Sequence, residues 1–298
     1  MAQYGSVPEN KLAAALHVAP RKKTNLVAVM ANIFLPWMLF AFVFALISFS
    51  VHYDQPTWVW LGVAACYLLV FQIIWTAWSY ASAGRGSTWW NYAALASFVA
   101  VFVGMVVGDM NFWGNMQPFY DIEKLNTYPN VNPGIDRGGQ RMDAGRIYFS
   151  VGTKLNTSLA MGFKNFDTFC VAPIVNVGVP EPSTYDFWAV GLNCCSVGAF
   201  RCPESRNPNV RAGLRLMRDD QRMFFRLAVQ QAESEYGIRS AHPLFFYWIQ
   251  DPVAEVNKYR DLGFRYYLLG IFSFFCFNSF AIVVRVIAVP DYPQLELK

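Results

Sequence analysis

The chain has 298 residues, of which 55% are hydrophobic, 17% aromatic and only 15% charged. Soluble domains carry about 25% charged residues, so this composition predicts a membrane protein. The net charge of +4 is small, and the basic residues are scattered and mixed with acids, which excludes the concentrated basic surface typical of nucleic-acid-binding proteins.

Four long apolar runs, residues 26–51, 58–78, 89–107 and 266–284, predict transmembrane helices, because about 20 apolar residues cross the hydrocarbon core of a bilayer. No charged residue lies deep in any of them. Trp and Tyr residues stand at many of the run ends, as in the aromatic belts of membrane proteins. Pro36 interrupts the first run and is compatible with a span where a neighbouring helix satisfies the carbonyl group that it frees.

Taken in order, the chain begins with a polar tail of residues 1–24, which is predicted to be cytosolic. Residues 25–112 hold the first three spans, residues 113–261 a polar domain, residues 262–289 the fourth span and residues 290–298 a second cytosolic tail. The predicted fold class is therefore an α-helical membrane protein: a four-helix transmembrane bundle with a large disulfide-bonded α+β extracytoplasmic domain between the third and fourth spans.

The basic flanks of the spans indicate the orientation. Arg85, between the second and third runs, and Arg285, after the fourth, fall on the same side as Arg21, Lys22 and Lys23 before the first run. Positively charged flanks stay in the cytosol. Both termini are therefore predicted to be cytosolic, in the plasma membrane or an endomembrane, and the polar domain is predicted to be extracellular or lumenal.

The polar domain has mixed local signals. Residues 121–140 are rich in Asn, Pro and Gly and predict an irregular loop. An Asn-Pro start signal predicts a helix over residues 207–236, with a stop at Gly237, and a second helical piece is predicted over residues 243–259. Short β-type runs between turn signals are found at residues 146–151, 168–175 and 185–192.

Four of the six cysteines lie in the polar domain: Cys170, Cys194, Cys195 and Cys202. An even number in one compartment is typical of disulfides. A bridge between the adjacent Cys194 and Cys195 would close a strained ring, so each is predicted to pair with Cys170 or Cys202, which leaves two pairings open. Zinc is the alternative, but Cys-x-x-Cys pairs are absent and no metal site is predicted.

The sequence carries no recognisable catalytic motif, and no catalytic residue or cofactor is predicted. The three histidines are His17, His52 and His242, and the predicted topology separates His17 from the other two. Asp219 and Asp220 lie among arginines, which favours ion pairing on a solvated face over acid–base catalysis. The protein is therefore predicted not to be an enzyme.

The polar residues inside the apolar runs are uncharged: Asn32, Gln72, Asn91 and Asn278. Such residues either mark a transport path or join helices by hydrogen bonds. Gly104 and Gly108 form a Gly-x-x-x-Gly pattern in the third run, which lets another helix approach closely. Contact within the bundle and contact with a partner protein are the two alternatives for these glycines.

Three further signals concern modification and partners. Asn156 begins the triplet Asn-Thr-Ser, an N-glycosylation acceptor that predicts a glycoprotein. Tyr292 and Leu295 fit the tyrosine-x-x-apolar sorting signal that clathrin adaptors read. The arginines of residues 211–226 would bind anionic lipid headgroups or an acidic partner, or form a solvated helix face.

The order of four spans, with a short first outer loop, a tight inner turn and a large outer loop before the last span, resembles that of the tetraspanins. The Cys194-Cys195 pair is similar to the paired cysteines of that family, although Ser196 stands where tetraspanins have Gly. The resemblance covers the topology of the chain and this one pair. Topology by itself does not carry function.

We therefore expect a non-enzymatic four-span membrane protein that acts in binding, scaffolding or assembly. Its expected partners are membrane lipids and other membrane proteins or further copies of itself, and nucleic acid is not among them. The alternative is an accessory subunit of a multisubunit channel, transporter or other membrane complex. A third hypothesis, a membrane enzyme, requires His242 to converge with carboxylates in a pocket.

Overall fold

A computed structural model describes residues 26–85, 88–178, 180, 182–196 and 199–288 of the chain. Its helices are α1 Leu26–Ser48, α2 Ser50–Asp54, α3 Pro56–Ser82, α4 Thr88–Asn111, α5 Gln117–Glu123, α6 Asp219–Tyr236 and α7 Pro252–Ala288. A π-helical turn, Phe112–Met116, joins α4 to α5. Within these residues, four stretches are long and apolar enough to cross a membrane: Leu26–Ser48, Pro56–Ser82, Thr88–Glu123 and Pro252–Ile287.

The chain folds into two compact units, and the long helices contribute to both. The first unit consists of the described parts of Met1–Phe44, Trp60–Val106 and Leu269–Lys298; the second consists of Ala45–Val59 and Val107–Leu268. The separation into spans and an inserted domain is therefore less sharp than predicted. Helix continues through the predicted boundary at residue 113 as far as Glu123, and α7 begins at Pro252, before the predicted boundary at residue 262.

In the first unit, α7 compensates for a defect in the hydrogen bonding of α1. Pro36 has no N–H group, so the carbonyl of Asn32, four residues earlier, loses its helical partner. Asn278 of α7 takes that place, since its Nδ2 donates to the Asn32 carbonyl at 3.0 Å and to the Ile33 carbonyl at 2.9 Å. Tyr92 of α4 donates to Asn278 Oδ1 at 2.9 Å. The side chain of Asn278 therefore joins helices, whereas that of Asn32 donates within α1 to the carbonyl of Ala28 at 2.8 Å.

Gly104 and Gly108 are buried, and both meet α1. A Cβ atom on Gly104 would lie 3.2 Å from the carbonyl oxygen of Phe40 and 3.5 Å from Cβ of Val43. The hydroxyl of Ser48 donates to the carbonyl of Gly108 at 3.3 Å. Of the two alternatives for these glycines, contact within the chain is the one that the structure contains.

The second unit is built on an eight-stranded mixed sheet. The strands are β1 Asn126–Val131, β2 Ala144–Phe149, β3 Thr153–Leu155, β4 Met161–Asn165, β5 Asp167–Asn176, β6 Phe187–Leu192, β9 Ala212–Arg215 and β10 Leu244–Ile249, with β7 Cys195–Ser196 and β8 Ala199–Phe200 forming a separate small hairpin. The order is β1-β2-β9-β10-β6-β5-β3, and β4 also pairs with β5. The pairs β1–β2 and β6–β10 are parallel, and the other pairs are antiparallel.

The three β-type runs are confirmed as β2, β5 and β6, with small shifts at their ends. Two helix predictions are wrong in part. The helix predicted from residue 207 begins only at Asp219, because Ala212–Arg215 pairs as β9 between β2 and β10. Leu244–Ile249 is strand β10, a short apolar run whose periodicity does not distinguish strand from helix. The loop predicted over residues 121–140 contains β1.

Both faces of the sheet are covered, because alternate residues of a strand point to opposite sides. On β5, Phe169 and Val171 belong to a core shared with α6, whereas Cys170 and Ala172 belong to the core on the other face. The second face is covered by the segment of residues 194–211, which contributes side chains to that core: Phe200, Cys202 and Val210. Burial on two sides explains why the central strands read as nearly continuous apolar runs.

Candidate functional site

One disulfide ties the segment of residues 194–211, named here the covering segment, to the sheet, and a second closes a loop within the segment. Cys170 of β5 is bridged to Cys195, and Cys194 is bridged to Cys202. The prediction of disulfides in this domain is confirmed. Of the two pairings left open by the sequence, the fold selects the one in which β5 takes Cys195.

Two glycines leave room for these bridges. A Cβ atom on Gly191 of β6 would lie 2.5 Å from Sγ of Cys202 and 2.6 Å from Sγ of Cys194. A Cβ atom on Gly162 of β4 would lie 2.8 Å from Sγ of Cys195. Because carbon and sulfur cannot approach so closely, any larger residue at either position would displace a bridge. The sulfur atoms therefore rest directly on strands β4 and β6.

Hydrogen bonds fix the rest of the covering segment. The Arg201 N–H donates to the carbonyl of Cys194 at 2.7 Å, and the Ser205 N–H donates to the carbonyl of Cys202 at 3.1 Å. Glu204, the single acid of the segment, accepts a hydrogen bond from the N–H of Gln250 at 2.6 Å. Its carboxylate is therefore engaged by the main chain just after β10.

A groove lies between the covering segment and β3. Its main cavity has a volume of about 440 Å³, and a second cavity of about 300 Å³ shares part of its lining. Small-molecule sites in proteins commonly measure about 300–1,000 Å³. Four apolar side chains that line the main cavity are buried: Leu155, Phe200, Val210 and Trp248.

The rim of this groove is basic. Lys154, Arg201 and Arg206 line it with exposed side chains, and no ion pair joins any of the three to another residue that the structure describes. A guanidinium group binds a carboxylate, phosphate or sulfate through two parallel hydrogen bonds. Polar groups line the groove between the cations: Thr153, Thr157, Ser205 and Asn207. The arrangement is suited to holding an anion.

Thr153 contributes a hydroxyl group that the protein itself does not satisfy. Its side chain is only 6% exposed, and its Oγ1 has no hydrogen-bond partner in the described part of the chain. A buried unpaired hydroxyl typically costs about 1–3 kcal/mol of stability. Thr153 also lines the groove, so a rotation of its side chain would bring this hydroxyl to an oxygen-bearing ligand there.

Asn156 follows β3 directly, beside the groove. Its Oδ1 accepts hydrogen bonds from the N–H of Ser158 at 3.3 Å and from the Ser158 hydroxyl at 2.6 Å, and its side chain is half-buried. Thr157, the next residue, lines the main cavity. A glycan on Asn156 would therefore stand at the edge of the groove. Tyr292 and Leu295 lie outside the described residues, as do both predicted cytosolic tails.

His242 does meet a carboxylate, but through the main chain. The buried Asp186 accepts hydrogen bonds from the N–H groups of Gly138 at 2.9 Å, Ala241 at 3.0 Å and His242 at 3.2 Å. A Cβ atom on Gly139 would lie 3.0 Å from Cδ2 of His242, so the imidazole packs over that glycine. This arrangement ties three loops together at the start of β6.

The arginine-rich helix face predicted over residues 211–226 does not form. Arg215 lies on β9, where burial, with a smaller contribution from Arg222, lowers the pKa of its guanidinium to about 10. The acids of this region pair with neighbouring arginines, as predicted: Asp219 with Arg222 at 2.9 Å and Asp220 with Arg218 at 3.0 Å. The predicted lipid-binding or partner-binding face is therefore divided between a strand and a helix.

Comparison of the chain with protein-family models, with curated protein sequences and with solved structures gives no significant match. The large sheet also departs from the mostly helical outer loop of the tetraspanins. The groove was not predicted from the sequence. Its one local signal is the pair of arginines, Arg201 and Arg206, on either side of Cys202 in a segment with a single acid.

Proposed function

We propose that the chain is a non-enzymatic four-span membrane protein whose extracytoplasmic sheet domain binds an anionic ligand in the groove between β3 and the covering segment. The observation that carries this proposal is the rim of three exposed cations without ion pairs among the described residues, Lys154, Arg201 and Arg206. Like charges gathered around one cavity create a positive potential that attracts anions.

The orientation is supported by two independent features. Arg85 and Arg285 flank the helices on one predicted side, and positive flanks stay in the cytosol. The disulfides Cys170–Cys195 and Cys194–Cys202 lie in the sheet domain, for which the same topology predicts the opposite side, and disulfides persist in oxidising compartments such as the cell exterior and the lumen of the secretory pathway.

Binding without catalysis is favoured by the chemistry of the lining. Thr153, Thr157 and Ser205 line a groove whose described lining holds no histidine and one acid, Glu204, already engaged by a main-chain N–H group. A serine or threonine nucleophile requires an adjacent general base. The groove therefore supplies anion-binding groups and an apolar floor, which together suit a ligand that is partly apolar and carries phosphate, sulfate or carboxylate groups.

Isothermal titration calorimetry on the full-length protein in detergent tests this proposal. Sucrose octasulfate and inorganic tripolyphosphate serve as anionic probes, and sucrose is the neutral control. We expect at least one anion to bind, with an affinity that falls as salt rises. The double variant Arg201→Gln/Arg206→Gln should weaken binding at least about tenfold, because a charge-assisted hydrogen bond contributes about 1.5–3 kcal/mol.

A matched variant separates the groove from the net charge of the protein. Arg222→Gln/Arg226→Gln removes the same charge from exposed positions of α6, on the opposite face of the sheet. This variant should bind the anion as the unmodified protein does. Equal weakening by both double variants, or the absence of any anion binding, would show that the groove is not an anion site.

A further inference from the structure

Helix α3 has one face that packs within its own chain. The buried side chains of this face recur at alternating spacings of four and three residues: Val59, Val63, Cys66, Val70, Ile73 and Ala77. None of them is more than 7% exposed. Alternating spacings of four and three residues are the pattern by which helices pack side by side in left-handed bundles.

A second set of residues on α3 repeats the same spacing two positions further along. These residues are all exposed, and they are named here the outer stripe: Leu61, Ala65, Leu68, Gln72, Trp75 and Ser79. A shift of two residues turns about 200° around a helix of 3.6 residues per turn. The outer stripe therefore points away from the face with which α3 packs in its own chain.

Gln72 is the polar residue near the middle of this stripe. It stands ten residues before Ser82, the last residue of α3, which at about 1.5 Å per residue places it about 15 Å from that end, deep in the hydrocarbon of a bilayer about 30 Å thick. No hydrogen bond is found for its side chain among the described residues, whereas Ser79 on the same stripe donates to the carbonyl of Trp75 at 2.9 Å. The buried Asn278, by contrast, is fully engaged.

We infer that the outer stripe is the contact surface for a second copy of this chain, with the two Gln72 side chains hydrogen-bonded to each other. A primary amide carries both donors and an acceptor, so it is complementary to itself. In a two-fold dimer whose axis is normal to the membrane, identical residues meet at the same depth. Ala65 offers little bulk on the stripe and lets the helices approach.

A second copy is favoured over other occupants by this self-complementarity. Lipid chains offer no hydrogen-bonding group at that depth. A different membrane protein would have to carry a polar residue at the matching depth, whereas a second copy always does. The inference rests on α3 lying in a bilayer and is independent of ligand binding in the groove.

Cysteine cross-linking of the purified full-length protein in lipid vesicles tests the contact. The two free cysteines are replaced (Cys66→Ala, Cys276→Ala), and Leu68→Cys is introduced on the stripe with Gln72 intact. Ile74→Cys is the matched control, because Ile74 is also exposed, at 40%, but lies two residues from Gln72 and so on the other side of α3. Mild oxidation should give several-fold more disulfide-linked dimer for Leu68→Cys than for Ile74→Cys.

The amide itself is tested in the Leu68→Cys background. Gln72→Leu should reduce the cross-linked dimer on the order of tenfold, whereas Gln72→Asn, which keeps the amide, should retain most of it. Single-molecule photobleaching of labelled chains with their native cysteines should show mainly pairs, and mainly single chains for Gln72→Leu. Equal cross-linking at both positions, dimers that survive Gln72→Leu, or single chains throughout would overturn the inference. If a different protein covers Gln72 in the cell, the purified chain should be found as single chains throughout, and this result also counts against the inference.

Discussion

The side-chain amide of Asn278 lies 3.0 Å from the carbonyl oxygen of Asn32, the carbonyl that Pro36 leaves without a partner inside α1. An unsatisfied carbonyl in hydrocarbon costs several kcal/mol, so α1 and α7 depend on each other at this point. The proline creates the requirement, and Asn278, 246 residues after Asn32 in the chain, meets it.

This dependence can be measured by a double-mutant cycle. Asn278→Leu should lower the free energy of unfolding of the purified protein by about 1–2 kcal/mol, because the Asn32 carbonyl and the Tyr92 hydroxyl both lose a partner. In a Pro36→Ala background the loss should be smaller, since the alanine N–H group restores the helical bond to Asn32. Ser279→Ala, which removes a neighbouring hydroxyl that is buried and has no partner among the described residues, should not lower stability. Equal losses in the two backgrounds would refute the coupling.

The bridge between Cys194 and Cys202 should depend on Gly191. Gly191→Ala places a Cβ atom within 2.6 Å of both sulfur atoms, so we expect free thiols on alkylation of the unreduced protein, together with loss of the roughly 2–4 kcal/mol that a disulfide contributes. Gly114→Ala is the control, because a Cβ atom there meets nothing within 4 Å. If Gly191→Ala left all four cysteines bridged and stability unchanged, the position of the bridge over β6 would be wrong.

Thr153→Val should separate stability from ligand binding. Removal of a buried, unpaired hydroxyl should raise the melting temperature of the ligand-free protein, because the desolvation cost disappears. The same change should weaken binding of an anionic probe that uses Thr153 as a donor. Differential scanning fluorimetry with and without the probe measures both effects. A variant that is destabilised without the probe, or that binds it undiminished, would exclude this role for the hydroxyl.

Expression in a eukaryotic secretory membrane tests the predicted side of the sheet domain. Asn156 should then carry a glycan, and glycosidase treatment should increase its mobility on a gel. Ser158→Ala removes the acceptor triplet and supplies the control, which should migrate as the treated protein does. An unmodified Asn156 would count against exposure of the triplet to the lumen, and protease protection of a tag at Lys298 in sealed cells would then decide the orientation.

The glycine pair of α4 should behave as an internal contact. Gly104→Leu with Gly108→Leu should lower expression and thermal stability, because a side chain at residue 104 collides with α1 near Phe40 and Val43 and one at residue 108 adds bulk where Ser48 of α1 approaches. Val106→Leu, at a position of the same helix that is 44% exposed, should be tolerated. A double variant that keeps its stability but loses a co-purifying protein would restore the alternative of a partner contact.

The sequence alone determined the number and approximate position of the long helices and the presence of disulfides. Both follow from local properties. A run of apolar residues without charge has few alternatives to a membrane-spanning helix, and four cysteines in one polar stretch are typical of an oxidising compartment. The glycine that ends α6 was also predictable, since Gly237 has a φ of +65°, which residues with a Cβ atom adopt at a cost.

Several strands were decided only by their neighbours. β1 contains Pro129 and is mostly exposed, so it carries no strand pattern and is a strand because β2 offers it a parallel edge. β9 has the sequence Ala-Gly-Leu-Arg, which is compatible with helix, but it pairs on both sides. β10 is apolar throughout because α6 covers one face of the sheet and the covering segment the other.

The groove was decided by tertiary structure for the same reason. Lys154 follows Thr153 on a three-residue strand, whereas Arg201 and Arg206 belong to a segment about fifty residues further along, and no sequence period relates them. They meet because the Cys170–Cys195 bridge fixes the start of that segment to β5, next to β3. The hydrogen bond from Asn278 to the carbonyl of Asn32 likewise joins residues that only the tertiary structure brings together. Sequence states which groups need partners, and only the packing of distant elements determines which partners they obtain.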